Sequence, residues 1–551
     1  MLKNRTYKVI TFGCQMNKSD SERVCGMLDA LGAAPFDKEM ANVAPVSGST
    51  PATGLTLPPT PDIIIFMTCC VRQAADSRLF GQVAALKDSP ALIAVGGCLG
   101  QRDGAKLRER LPHIDVVFGT HNITRLPQLL NKALTSGRAQ VEVLSDAEAD
   151  AAYARAALVP VAAEPPKAVR VVAPSEAVGA AAPGTDITPG TDTVLGGDTA
   201  SEIATVLDGD IASGIATDSD IATASVGALT PAPSIASAPP FSVPARREHP
   251  WHAWLPIMSG CNNFCSYCIV PYVRGRERSL PIEQLEAQVA ALLADGVVEI
   301  SLLGQNVNSY GRDLYGQPRF AQLLERLSNL GVPRLRFFTS HPKDLSASII
   351  SSFAREAAVM PALHLPVQSG SDRVLRAMNR NYSARHYLRV IESTRQAAES
   401  AGKPPVAFST DVIVGFPGEQ ESDFEQTLRL VEQVGFAQVF TFIYSPRAGT
   451  PAAQLINDIP RQVVQERFQR LVALVQQSAH RFNQYFVGSS LPVLFTGASK
   501  RDTSILAGKS PANQTVHVPL PPKHTPHDFA GRIVPVRITE AKTWYLSGQL
   551  V

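Results

Sequence analysis

Cysteine is the residue type in this 551-residue chain that most invites a chemical reading, and its eight copies fall into two groups. Cys261, Cys265 and Cys268 crowd into the run Gly260-Cys261-Asn262-Asn263-Phe264-Cys265-Ser266-Tyr267-Cys268, while Cys14, Cys25, Cys69, Cys70 and Cys98 lie in the first hundred residues. No secretory signal precedes them, so metal binding or catalysis is expected rather than a disulfide framework. The C-x3-C-x2-C run offers three thiolates in one loop with no nearby fourth ligand. Structural zinc takes four protein ligands from paired knuckles, which this spacing does not supply. A [4Fe–4S] cube held by three cysteines leaves one iron open, and a small molecule bound there can be reduced in place.

The N-terminal cysteines repeat a topological position instead of a spacing. Cys14 follows the strand-like run Tyr7–Phe12 and precedes a helix opening near Asn17. Cys69 follows Ile63–Phe66 and precedes a helix starting near Arg72. Cys98 follows Leu92–Val95 and Gly96-Gly97 and precedes a helical pattern over Gly104–Arg110. Each therefore sits at the carboxyl end of a strand, and in an open parallel sheet those ends face one crevice. Three thiolates so placed can meet around a second three-ligand cluster. Cys25 and Cys70 do not follow the pattern and read as packing residues.

The elements that must position these thiols follow from composition and periodicity. Residues 1–140 alternate short apolar runs with helical patterns, interrupted by a Pro/Thr/Gly-rich loop at about 37–61. Residues 250–456 repeat the alternation about six times, and a helical run at 460–486 completes a unit spanning 250–486. The Val/Ile/Leu-rich, turn-punctuated tail at 487–551 reads as a small β-domain. Between them, 141–249 is built from Ala, Gly, Thr, Ser, Pro and Asp and is expected to be a disordered insertion. The start of the chain is polar and basic, and no apolar stretch of about 18 residues exists. The expectation is an α/β protein of the cytoplasm without membrane contact.

Charge is unevenly spread. The net charge is +2, but residues 142–245 carry fourteen acidic against three basic residues, leaving +13 on the remainder. A basic folded portion suits a polyanionic partner. The tail alone holds Lys500, Arg501, Lys509, Lys523, Arg532, Arg537 and Lys542 against Asp502, Asp528 and Glu540.

The loop Gly260–Gly275, with Tyr272 and Arg274 after its cysteines, resembles the cluster loop of radical S-adenosylmethionine enzymes. With Thr11-Phe12-Gly13-Cys14-Gln15-Met16-Asn17, Thr68-Cys69 followed by Val71-Arg72, and Gly96-Gly97-Cys98, the chain resembles the radical-SAM methylthiotransferase family. Leu303–Asn308, Thr339–Pro342 and His364–Ser371 are similar to the branch of that family acting on N6-(dimethylallyl)adenosine in tRNA. The resemblance covers about 1–36, 62–140 and 250–551. It implies a second [4Fe–4S] cluster on Cys14, Cys69 and Cys98 that handles sulfur, a central partial (βα)6 barrel, and a C-terminal TRAM-like RNA-binding barrel. The sequence departs from the family at Cys70, where a small residue is usual, at Met67, where Asn is usual, and in its longer segments 37–61 and 142–249.

The same resemblance assigns roles around the mouth of the central barrel. The open iron beside Cys261, Cys265 and Cys268 would bind S-adenosylmethionine. Gly304 and Gln305, after the second strand, would receive its methionine end, and Ser340, after the third, its ribose. Ile413 to Gly415 ends the fifth strand, where backbone pairs with adenine, and Tyr267 offers a stacking face. Glu419 stands one residue later than the common adenine motif. The implied reaction converts dimethylallyladenosine next to the anticodon (position 37) to its 2-methylthio derivative. The implied partners are the tRNA anticodon stem-loop, gripped through Lys500, Arg501 and Lys509, an electron donor such as a flavodoxin or ferredoxin, and a sulfur source. Related machinery modifies threonylcarbamoyl-adenosine in tRNA or an aspartate of a ribosomal protein, and a cluster-bearing scaffold without turnover is the non-enzymatic alternative. The basic tail and Gln305-Asn306-Val307-Asn308 favour RNA.

Overall fold

In the computed structural model, described for residues 2–36, 60–70, 73–149 and 245–551, the chain opens with six parallel strands. These are β1 (Thr6–Thr11), β2 (Ala34–Pro35), β3 (Ile63–Thr68), β4 (Leu92–Gly97), β5 (Val116–Phe118) and β6 (Gln140–Glu142), in the order β2-β1-β3-β4-β5-β6. Every residue of β3 and β4 is buried, as expected where helices cover both faces of a parallel sheet. On one face Val24, Met27 and Leu28 of helix Gln15–Ala30 pack on Ile63, Ile65 and Met67. On the other, Leu79 and Val83 of helix Gln73–Ala84 pack on Ile64, Phe66 and Val95. The strand order reverses between β1 and β3, which makes their carboxyl ends a natural ligand crevice. Segment 37–59, the bulk of the acidic stretch (150–244), Val71 and Arg72 lie outside the described residues.

The central unit holds β7 (His252–Pro256), β8 (Met258–Ser259), β9 (Arg278–Ser279), β10 (Glu299–Leu303), β11 (Arg334–Phe337), β12 (Ala362–His364), β13 (Ala407–Val414) and β14 (Gln438–Ile443). Two parallel sheets, β11-β10-β7 and β12-β13-β14, are joined by a bridge between Leu335 and Val359. The six long strands therefore curve in the order β7-β10-β11-β12-β13-β14, a partial (βα)6 barrel. Alternate side chains such as Leu255, Ile300, Leu335 and Val412 pack outward under the helices. The inward set is polar and aromatic. His252 reaches Ser301 (3.1 Å), Arg336 donates to Glu299 (2.8 Å), and His364 contacts Ser409 (3.0 Å).

Helix Arg461–Gln484 leads into β15 (Ser490–Ala498), β16 (Ile505–Lys509), β17 (Thr515–Pro519), β18 (Ile533–Ala541) and β19 (Tyr545–Leu550), a closed barrel ordered β15-β16-β17-β19-β18. It docks against the amino-terminal end of the central strands. Arg334 donates to the carbonyl of Lys509 (3.0 Å), Arg336 to those of Ser510 and Pro511 (both 2.9 Å), and Ala407 joins the small barrel's core. The carboxyl ends stay clear for chemistry. Among the described residues no helix is long and apolar enough to cross a membrane.

Candidate functional site

The loop triad sits between β8 and the short helix Val270–Arg274. Gly260 turns the chain with φ +78°, and a Cβ there would lie 1.9 Å from the carbonyl oxygen of Arg276, so only glycine fits. Behind it Cys261 N–H donates to Gly275 (3.0 Å) and Cys268 N–H to Cys265 (2.9 Å). The loop is then fastened to the segment after helix Asp372–Ala377. Ser266 donates through N to Met378 (3.0 Å) and through Oγ to Ala377 (2.8 Å), and Asn379 Nδ2 donates to Phe264 (2.9 Å). Arg380, 5% exposed, points its Nη1 at Cys265 Sγ at 3.6 Å. Burial dominates the other two thiols, pushing Cys261 up to about 11 and Cys268 up to about 12.

The second triad is assembled from three neighbouring strands. Cys14 lies three residues past β1, Cys69 immediately past β3, and Cys98 immediately past β4. Register holds these ends level, since Thr11 pairs with Met67, Met67 with Gly96 and Thr68 with Gly97. Gly13 makes the close approach possible: a Cβ there would stand 2.8 Å from that of Cys69. Buried Asn17 ties the ends together, with Nδ2 donating to Thr68 O (2.8 Å) and Oδ1 lying 3.3 Å from Cys14 Sγ. Cys14 precedes helix Gln15–Ala30, and Cys98 is the first residue of helix Cys98–Asp103, earlier than the helical pattern at 104–110 suggests.

Here the thiols are pulled down. A hydrogen bond from Cys69, the charge of Arg274 and the N–H groups of Asn17 and Met16 outweigh burial and hold Cys14 at about 6. A hydrogen bond from Cys70, with Arg274, holds Cys98 at about 7. Cys70 itself is fully buried, its thiol pushed upward by that bond and by burial, and it packs with Cys98 against Ile269 and Val273 of the loop-triad segment. Cys98 thus packs against the short helical segment that follows Cys268. Cys25 lies apart, packed at the edge of the N-terminal core.

Among the described residues no three His, Cys, Asp or Glu close around a single metal ion. A cube suits these donors better, because each thiolate binds a different corner iron. Fit for S-adenosylmethionine rests on orphaned polar atoms. Gln305 Oε1, Ser340 Oγ and Tyr444 Oη are buried and, among the described residues, have no hydrogen-bond partner. Unpaired buried polar groups are costly and call for a ligand that pairs them. Gln305 follows β10 and Ser340 follows β11, with Thr339 between at φ +66°, a strained value for a β-branched residue. Gly304 lies against Met258. Tyr267 and Ile413 share a small cluster with Phe416, Met378 and Tyr444.

Other predicted residues are differently placed. The Gly415 N–H donates to Glu419 Oε2 (2.9 Å) and its carbonyl accepts from Asn457 (3.1 Å), so both its backbone groups are engaged. Glu419 is pushed up to about 7 by burial and also pairs with Arg467 (3.1 Å). Lys500 and Arg501 are exposed in the turn between β15 and β16. Lys509 lies instead at the junction with the central barrel, donating to Thr515 Oγ1 (3.0 Å), and burial lowers it to about 8. The contacts of Arg380 with Cys265 and of Asp20 with Arg274 had no signature in the sequence, because each joins residues more than a hundred positions apart, while Asp20 also pairs locally with Arg23.

The sequence matches the radical SAM superfamily over residues 255–431, the uncharacterized protein family UPF0004 over 53–119 and the TRAM domain over 484–551. The tRNA-2-methylthio-N(6)-dimethylallyladenosine synthase of Kineococcus radiotolerans is 36% identical over 551 residues, covering 98% of this chain and 88% of that protein. The enzyme of the same name from Carboxydothermus hydrogenoformans is 35% identical, covering 99% of each. Among solved structures, the radical S-adenosylmethionine methyltransferase TsrM of Kitasatospora setae aligns at a TM-score of 0.46 and 11% identity, over 82% of this chain and 74% of that one. Near-complete coverage at this identity shows that the chain belongs to the tRNA-2-methylthio-N(6)-dimethylallyladenosine synthase family.

Proposed function

We propose that this protein is a radical S-adenosylmethionine methylthiotransferase, a sulfur-inserting transferase. It converts N6-(dimethylallyl)adenosine next to the tRNA anticodon to its 2-methylthio derivative. The observation that carries the reading is the contact of the strand-end triad with the short helical segment that follows the loop triad. Cys98 packs on Ile269 and Val273, directly after Cys268. Cys261, Cys265 and Cys268 would hold a [4Fe–4S] cube that supplies one-electron reduction of S-adenosylmethionine, and Cys14, Cys69 and Cys98 would hold a second that supplies a place for sulfur.

The chain's own residues do the positioning. Gln305 and Ser340 offer their unpaired oxygens to the bound S-adenosylmethionine, and Tyr267 and Ile413 wall its adenine side. The apolar contact of Cys70, Cys98, Ile269 and Val273 excludes water between the triads. A base in folded tRNA must be splayed from its loop to reach this mouth, as single-stranded RNA recognition allows. Lys500 and Arg501 on the exposed turn hold the RNA phosphates, while an electron donor such as a flavodoxin or ferredoxin and a sulfur source complete the cycle. Nucleoside mass spectrometry of tRNA from cells lacking the protein tests this: the 2-methylthio derivative should vanish and its dimethylallyl precursor accumulate. Unchanged methylthiolation overturns it.

A further inference from the structure

The interior of the central barrel is not filled. A closed (βα)8 barrel packs its inward side chains in layers until no space is left. Here the inward set of β7 and β11 leads to two large rings that remain half-buried, Trp254 and Phe338. Trp254 is level with Ser301 on β10, and that small side chain leaves room for the rings to meet at 6.2 Å between centroids. The β12–β13–β14 half is polar by contrast. His364 Nδ1 lies 3.0 Å from Ser409 Oγ, its Nε2 3.6 Å from Asp411 Oδ1, and its ring meets Phe440 edge-on at 5.7 Å. His364 and Asp411 keep 18% and 26% of their side-chain surface open, so solvent reaches this depth. Beneath them Glu299, Arg336 and the carbonyls of Ser510 and Pro511 close the floor, and above them lie the unpaired oxygens of Gln305 and Ser340. Neither β7 nor β14 pairs with a further strand among the described residues, so no strand closes the chamber between them.

We infer that Trp254 and Phe338 are specificity-determining residues: their rings seat the dimethylallyl arm of the target adenosine, while the base edge turns to the polar half at His364. The inference rests on the function proposed above. That substrate has two chemically different parts, a flat polar heterocycle and a branched apolar arm, and they match the two halves of the chamber. Ligand sites pair an apolar wall with a few placed polar groups in this way, the wall giving affinity and the polar groups orientation. Aromatic rings suit the wall because they are large and stiff and hold their shape when the pocket is empty. An unmodified adenosine would leave both rings wet. One missing methylene in an apolar pocket is worth about 10–200-fold in discrimination, and here the whole arm is missing. Neither ring is charged, so the seat separates prenylated from unmodified RNA without contributing to the salt-dependent grip on phosphates.

The test uses anaerobically reconstituted full-length protein and two anticodon stem-loops that differ only in the target adenosine, dimethylallylated or unmodified. Fluorescence anisotropy gives both dissociation constants, and mass spectrometry follows methylthiolation. The parent should bind the dimethylallyl RNA at least about tenfold more tightly. Trp254→Ala and Phe338→Ala should each bring the two affinities within about threefold, by weakening the dimethylallyl RNA alone, and KM for that RNA should rise in step. Trp254→Phe, which keeps a ring, should retain most of the preference. Phe338 stands just past the end of β11, so its variant decides the matter if Trp254→Ala does not fold. Iron content and release of 5′-deoxyadenosine without RNA should match the parent, because the rings lie below the groups assigned to S-adenosylmethionine. A parent without preference, or a preference that survives in folded alanine variants, overturns the inference. Loss of S-adenosylmethionine cleavage in those variants also overturns it, since the rings then belong to the cofactor site. The underlying function fails separately: a parent that prefers the dimethylallyl RNA, loses that preference on Trp254→Ala, yet never methylthiolates it supports the seat and overturns the reaction.

Discussion

Cys261, Cys265 and Cys268 lie within eight residues of one loop, whereas Cys14, Cys69 and Cys98 are gathered from the ends of three neighbouring strands 84 residues apart at their extremes. Their surroundings differ as sharply as their spacing. Burial raises Cys261 and Cys268, while neighbouring thiols and Arg274 lower Cys14 and Cys98, helped at Cys14 by the N–H groups of Asn17 and Met16. A local loop carries its own geometry and needs only to be fastened, here by Ser266 and Asn379. A distributed site borrows its geometry from sheet register, so its integrity depends on the whole N-terminal core. The division suits a chemistry with one centre that generates a radical and one that handles sulfur.

The harshest way to break the comparison is to remove the loop triad. Replacing Cys261, Cys265 and Cys268 together by Ala should abolish both 5′-deoxyadenosine and methylthiolated tRNA, and iron should fall from about eight to about four per chain. If the triple variant keeps all its iron, the two groups do not hold separate clusters. Removing one distributed ligand should split the activities. Cys98→Ala should still release 5′-deoxyadenosine but give no methylthiolated product, measured by chromatography of the nucleoside and mass spectrometry of the tRNA. Normal product from Cys98→Ala would remove the N-terminal triad from the chemistry.

A gentler test compares Cys14 with Cys261 in metal-free protein, since both are partly exposed. The thiolate is the reactive form, so a thiol held at about 6 is ionised at pH 7.5 and one pushed to about 11 is not. Alkylation followed by peptide mass spectrometry should label Cys14 at least about tenfold faster there, with the gap closing as pH rises towards 11. Equal rates at pH 7.5 would mean that the charge environment of the two triads is the same.

The loop triad was legible because its signal is local: three cysteines at fixed spacing specify a site with no knowledge of the fold. The distributed triad was legible at one remove, through the repetition of cysteine after a buried apolar run such as Ile63–Phe66. The order β2-β1-β3-β4-β5-β6 then supplies the physical reason, since β1, β3 and β4 are neighbours. The charges that serve the triads were not legible. Arg274 stands in the motif of one triad and acts on the other, and Arg380 reaches Cys265 across 115 residues. Lys509 shows the opposite failure. Its charge counts towards a basic tail, but β16 turns it into the junction with Arg334 and Arg336, where net charge carries no information about exposure.

The smallest expected effect is at Cys70, and it sharpens the comparison most finely, because a loop triad has no such ambiguity whereas a strand end presents two adjacent thiols. Cys69 approaches Gly13 and Cys14, while Cys70 donates to Cys98 and packs on Ile269 and Val273. Successive residues leaving a strand point to opposite sides, so only one of them can face the crevice. Cys70→Ala therefore removes a small buried group and one hydrogen bond without removing a ligand. The cost should be on the order of 1 kcal/mol of stability, a melting shift of roughly 2–4 °C. Iron content and product formation should stay within about twofold of the parent, a change no larger than RT ln 2 in barrier height. Cys69→Ala should instead lose the N-terminal iron and all methylthiolation. If Cys70→Ala loses the iron and Cys69→Ala keeps it, the third ligand is Cys70, and the crevice is lined from the β4 side of the strand end, not the β1 side.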